Sequence, residues 1–171
     1  MTYFEELCRA MRMIAVHPRS IFLGQAVAEK GTGMTASFTG IPREKLLELP
    51  VFENTQMGMS IGLALAGELP VSVFPRINFL LCAMDQLVNH LDAISRYSDY
   101  RPKVIIRVAI GTDKPLDPGP QHTGDYVDAI KSMLKTVHVT RLTHAQFIVP
   151  KYRKAMERDR STILVEYPAL Y

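Results

Sequence analysis

The chain has 171 residues, 47% of them apolar, with 20 basic against 17 acidic side chains for a formal net charge of +3. That length and apolar share fit one domain with a sizeable core, while the near-balance of charge offers no field strong enough to hold nucleic acid or an anionic membrane, leaving a neutral partner or small ligand. Cys8 and Cys82 stand far apart in patterns that read as helical, so they are expected to be small buried hydrophobes in a reducing, cytoplasmic setting rather than a disulfide or metal pair.

Acids, bases and apolar residues alternate from Met1 to Met13 without a continuous hydrophobic core, which marks an amphipathic helix and not a signal peptide. Phe4, Leu7, Met11 and Ile14 recur at helical steps up to His17-Pro18, where the residue before proline leaves the helical region. Ile21–Gly24 reads as a short buried strand, residues 31–40 as a Gly/Thr/Ser loop, and Pro42–Leu49 as a short helix. An extended segment through Phe52 then leads into a helix at about Thr55 that Gly67 ends. The charge-free stretch from Thr55 to Gly67 is too short to cross a bilayer.

Pro70–Phe74 is the next strand. Leu80, Ala83, Met84, Leu87, Leu91 and Ile94 then form an apolar stripe opposite Asp85, Gln86, Asn89, Asp92 and Arg96, which predicts a long amphipathic helix. Val104–Ile110 is a β-branched run suited to a strand covered on both faces. A Pro/Gly loop over residues 111–124 follows, then a helix at Tyr126–Leu134, a strand at Val137–Val139, a helix at Ala145–Arg158 and a strand at Thr162–Glu166. Regular alternation of strand and helix predicts an α/β fold of three layers, a mostly parallel sheet with helices on both faces. Ligands of such sheets bind beyond the carboxyl ends of the strands, where the Glu53 junction and the loop after Ile110 belong.

Glu53 is the most informative residue, a lone carboxylate between the apolar Pro50–Phe52 and a glycine-punctuated helix. That placement suits proton handling, and equally suits an acid stabilised by the helix macrodipole. Phe79, at the start of the long helix, reads by itself as core, and His122, within Gly119-Pro120-Gln121-His122, as a solvated loop residue. Gly58, Gly62 and Ala66 place small residues on one helical face, for close packing or a subunit contact. His17, His90, His138 and His144 lack metal-ligand spacing with cysteines or acids, so no metal site is expected on this chain.

Four blocks in order, ENTQMGMSIGLALAGELPV, FPRINFLLCAMDQLVNHLDAISRY, KVIIRVAIG and GPQHTGDY, resemble the pyrimidine-binding domain of thiamine diphosphate enzymes. The resemblance runs from about Phe22 to Tyr167 and is nearest to the N-terminal half of the β subunit of 2-oxoacid (pyruvate) dehydrogenase decarboxylating components, in the transketolase-like group. It implies that Glu53 hydrogen-bonds a ring nitrogen of the cofactor's aminopyrimidine and favours the tautomer that generates the ylid. It further implies that Phe79 stacks on the pyrimidine, that Gln56 and Met57 line its site, and that His122 lies on the substrate side as a second catalytic residue.

The Gly-Asp-Gly motif with a downstream asparagine, by which the family holds Mg2+ and the diphosphate, has no match here. Residues 1–171 are therefore expected to form a single pyrimidine-binding domain, without the diphosphate-binding or C-terminal domains. Mg2+ would then sit on a diphosphate-binding, α-type partner subunit, in a heterodimer or an α2β2 heterotetramer. Decarboxylation of a 2-oxoacid with acyl or aldehyde transfer is the activity implied. Split transketolase-like ketol transfer or carboligation, and a non-catalytic scaffold, are the alternatives.

Overall fold

A computed structural model of the chain describes residues 1–29, 32–112 and 117–171. Six strands form one sheet in which every neighbouring pair is parallel, in the order β2-β1-β3-β4-β6-β5. They are β1 (Ser20–Gly24), β2 (Leu46–Glu48), β3 (Leu69–Phe74), β4 (Ile105–Ala109), β5 (His138–Arg141) and β6 (Thr162–Glu166). β3, β4 and β6 are buried along their whole length, as a parallel sheet covered on both faces requires.

Alternate residues of the central strands feed two cores. On one face Ile105 and Ala109 of β4 join Val71 and Val73 of β3 beneath α1 (Tyr3–Ala15), the one-turn α2 (Gly33–Ala36) and, further down the chain, the helix at Ile148–Glu157. On the other face Ile106 and Val108 pack with Phe74 beneath α3 (Glu53–Leu65), the helical run that starts with α4 (Ile77–Leu80) and ends with α5 (Ile94–Tyr97), and α6 (Val127–Met133). The Ile148–Glu157 helix is accordingly α7. α1 begins with a capping box: the Thr2 hydroxyl accepts from the Glu5 amide at 3.2 Å, and the Glu5 carboxylate accepts from the Thr2 amide at 2.7 Å.

The three-layer α/β prediction holds, and the sheet is wholly parallel. Pro42–Leu49 is not a helix: after a 3-10 turn at Arg43–Lys45 the chain becomes edge strand β2, with Phe22 of β1 in register with Leu46. Pairing with the open edge of β1 outweighs the helical propensity of this Leu/Glu/Lys-rich run. The long helix forms but is not uniform, since a 3-10 turn at Leu81–Ala83 and wide π-helical turns at Asp85–Leu91 separate α4 from α5. At the end of the wide turns the Asp92 amide donates to Leu87 O at 2.9 Å, and the buried Asp92 carboxylate accepts from the amides of Lys135, Thr136 and Val137. Cys8 is half-buried, whereas Cys82 is exposed, against expectation, on the solvent side of the 3-10 turn. No helix among the described residues is long and apolar enough to cross a membrane.

Candidate active site

α3 begins at Glu53, two residues before the expected start, with Phe52 at φ −154° and ψ 59° still outside the helical region. The Glu53 carboxyl therefore sits in the first helical turn, where unpaired amides and the helix dipole favour negative charge. It is only 6% exposed. Gln25, the first residue after β1, donates its side-chain amide to Glu53 Oε1 at 2.9 Å. Among the described residues nothing donates to Glu53 Oε2. From β1 the chain moves outward to β2, then returns through α3 to β3 on the other side of β1. The Gln25–Glu53 pair therefore lies at the carboxyl-end crevice where strand order reverses, the usual ligand position in open parallel sheets.

One turn into α3, Gln56 points down into the sheet. Its Nε2 donates to Val73 O at 2.9 Å and to Ser72 Oγ at 3.1 Å, while its Oε1 is buried without a hydrogen-bond partner among the described residues. Gly24 makes room for it: with φ +136°, a Cβ there would stand 2.2 Å from Val73 O and 2.6 Å from Gln56 Nε2. Met57 is wholly buried in the core beneath α3. Its side chain joins Phe74 and Ile77 in that core, one helical position on from the inward-pointing Gln56.

A second pair forms on the same edge. Phe79, in α4 just after β3, is half-buried, and its ring centroid lies 5.3 Å from that of His122 at an interplanar angle of 58°. His122 ends a 3-10 turn (Pro120–His122) in the loop after β4. Asn78 Nδ2 donates to Gln121 O at 2.7 Å, tying that loop to the start of α4. Gly111 lies so close to His122 that a Cβ would stand 1.6 Å from its carbonyl oxygen. Asn78 Oδ1 and His122 Nδ1 are both buried without a partner among the described residues. Glu53 thus pairs with Gln25, and Phe79 with His122; no hydrogen bond or ion pair joins Glu53 to His122.

Gln25, Glu48 and Asn78 were not singled out in the sequence. A polar residue directly after a predicted buried strand, as Gln25 is, was the available signal for the first of them.

No protein-family model matches the chain. Curated relatives include the pyruvate dehydrogenase E1 component subunit beta of Gracilaria tenuistipitata var. liui, 29% identical over 133 residues, and of Staurastrum punctulatum, 27% identical over 131 residues. Each alignment covers 74% of this chain but only 39% and 38% of the respective relative, so the chain spans well under half the length of these proteins. Among solved structures, a split gene transketolase described as an inactive beta4 tetramer superposes with a TM-score of 0.74 at 17% identity, over 96% of this chain and 50% of that one. The chain is therefore similar in sequence to pyruvate dehydrogenase E1 β subunits and shares the transketolase-like fold, as its four blocks of residues implied.

Proposed function

We propose that this chain is the pyrimidine-binding subunit of a thiamine diphosphate enzyme assembled from two kinds of chain. When bound, the cofactor supplies the electron sink at which the bond next to a 2-oxo group is cleaved. The observation that carries this reading is Glu53, a carboxylate 6% exposed at the switch point with Oε1 held by Gln25 and Oε2 uncommitted among the described residues. A desolvated carboxylate with one free oxygen suits a shared proton with the ring nitrogen of an aminopyrimidine. Phe79, half-buried and backed by His122, offers a flat apolar face to a heterocycle. His122 would act on the substrate side, with its unpartnered Nδ1 available to a polar group. Gln56 would contribute by fixing the α3 turn that carries Glu53.

In this reading residues 1–171 act as one pyrimidine-binding domain, and Mg2+ and the diphosphate are held by an α-type partner in a heterodimer or α2β2 heterotetramer. Large apolar side chains stand exposed around the α3 face, among them Val51, Phe52, Met59, Leu65 and Leu81, which supports burial of this face against another chain. The favoured reaction is decarboxylation of a 2-oxoacid with acyl or aldehyde transfer. Ketol transfer is the second reading, supported by the split-gene transketolase neighbour at the level of fold alone.

The test is Glu53→Gln in the complex reconstituted with its partner, measuring cofactor-dependent turnover of pyruvate and, in parallel, of a ketose phosphate donor. A loss of about 100-fold or more with the fold intact is expected. Unchanged turnover would leave a scaffold subunit, and the donor that is consumed separates the two activities.

A further inference from the structure

We propose that Glu48 is a positioning residue for Glu53, acting through the loop of residues 25–29 and the side chain of Gln25. This rests on the proton-holding role given to Glu53 above.

Glu48 closes β2 and lies in register with Gly24, the last residue of β1. It therefore faces the loop as the loop leaves the sheet. Its Oε1 accepts from the Ala26 amide at 2.8 Å, and its Oε2 from the amides of Val27 at 2.8 Å, Ala28 at 2.6 Å and Glu29 at 3.2 Å. Four successive amides converging on one carboxylate form an anion nest whose anion is part of the protein. Burial pushes the Glu48 carboxyl up, but the four amides outweigh it and hold the group below its ordinary range, so it is ionised at neutral pH.

The opposite side of the loop is also tied. Thr35 Oγ1 has both Ala26 O at 3.0 Å and Glu29 O at 2.9 Å within reach of its single hydroxyl hydrogen. Between these ties Ala26 is held at φ +58°, the one non-glycine residue in the left-handed region among those described. A side-chain-bearing residue keeps that conformation only where its surroundings impose it. It directly follows Gln25, whose amide reaches Glu53. The nest thus sets the backbone direction at the residue that holds Oε1 and leaves Oε2 to a ligand.

The test uses the 15N-labelled full chain, with the Gln25 side-chain amide signal identified by its loss in Gln25→Ala and shifted in Glu53→Gln. In Glu48→Gln that signal is expected to move towards its Glu53→Gln position, and the amides of residues 26–29 to exchange about tenfold faster or more. With the partner present, kcat should fall about tenfold with KM within about twofold. Faster loop exchange with an unmoved Gln25 signal would make Glu48 merely structural and overturn the proposal. Should Glu48→Gln not fold, Thr35→Val loosens the same loop from its other side, and an unmoved Gln25 signal there overturns it equally. If Glu53→Gln leaves turnover unchanged while Glu48→Gln still moves the Gln25 signal, the reading of Glu53 fails and the coupling stands.

Discussion

His122 packs its ring against Phe79 although the two belong to different crossovers, one in the loop after β4 and the other in the helix after β3. The contact gives Phe79 a fixed inner side and leaves the rest of its half-buried ring open to a ligand. Phe79→Leu keeps apolar volume but removes the flat face, so if the chain binds thiamine diphosphate with a partner as proposed, the affinity of that complex should fall about three- to tenfold. Titration calorimetry is the suitable measurement, since the chain has no tryptophan to report binding. An affinity unchanged by this substitution would make Phe79 a core residue only.

Two glycines, one at the end of β1 against Gln56 and one within α3, should respond with opposite sign. Gly24→Ala forces a Cβ into Val73 O and Gln56 at a φ of +136°, and should cost about 3 kcal/mol in urea unfolding, together with displacement of the Gln56 amide. Gly62 lies within α3 with nothing within 4 Å of its added Cβ. Gly62→Ala should therefore stabilise the isolated chain by up to about 1 kcal/mol, the difference in helix propensity. If the exposed α3 face is covered by a partner, the same variant should weaken assembly while strengthening the fold.

The strands were legible wherever the sheet buries both faces, because continuous runs such as Val104–Ile110 have no other use for so many β-branched residues. Edge strand β2 was not legible: covered on one side only and three residues long, it keeps the composition of a helix. Glu53, Phe79 and His122 were singled out because they lie in ordered blocks of residues. Gln25 and Glu48 escaped because their significance is a chain of hydrogen bonds across two loops, a relation with no local pattern. Cys82 was misjudged because it lies opposite the stripe of Leu80, Ala83, Met84 and Leu87, on the side of the segment that faces solvent.

Stability should decline with acid in two stages. Burial and nearby Arg158, Lys154 and Lys131 lower the pKa of His138 from its ordinary 6.5, so the unfolded chain binds that proton first and stability falls as pH drops below about 6.5. Asp92 is pushed up by burial, but the amides of Val137, Thr136 and Lys135 and the Thr136 hydroxyl outweigh this and hold it below the ordinary range. Its contribution is complete above about pH 4 and is lost as pH falls towards the depressed native value. His138→Asn should flatten the first stage and Asp92→Asn the second in urea midpoints measured across pH. Asp92→Asn should also cost about 1–3 kcal/mol at neutral pH, since three amides lose a charged acceptor.

The largest stability effect is expected beneath α1 and α7, where Arg107 of β4 and Glu166 of β6 are both 0% exposed with Arg107 Nη2 3.1 Å from Glu166 Oε1. Arg107 Nη1 donates to Ser37 Oγ at 2.7 Å, its guanidinium lies 5.1 Å from the centre of the Phe38 ring, and Tyr171 OH donates to Glu166 Oε1 at 2.8 Å. Burial works against the charge on Arg107, but the Glu166 carboxylate outweighs it and keeps the guanidinium protonated. Either charge alone would be stranded in the core, so Glu166→Gln or Arg107→Met should each cost about 3–5 kcal/mol. The double variant Arg107→Met/Glu166→Leu should recover most of that loss, because it removes both desolvated charges together. A double-mutant cycle by chemical denaturation decides the matter. Additive losses would mean that the ions are stabilised separately, by Ser37 and Phe38 on one side and Tyr171 on the other, and not by each other.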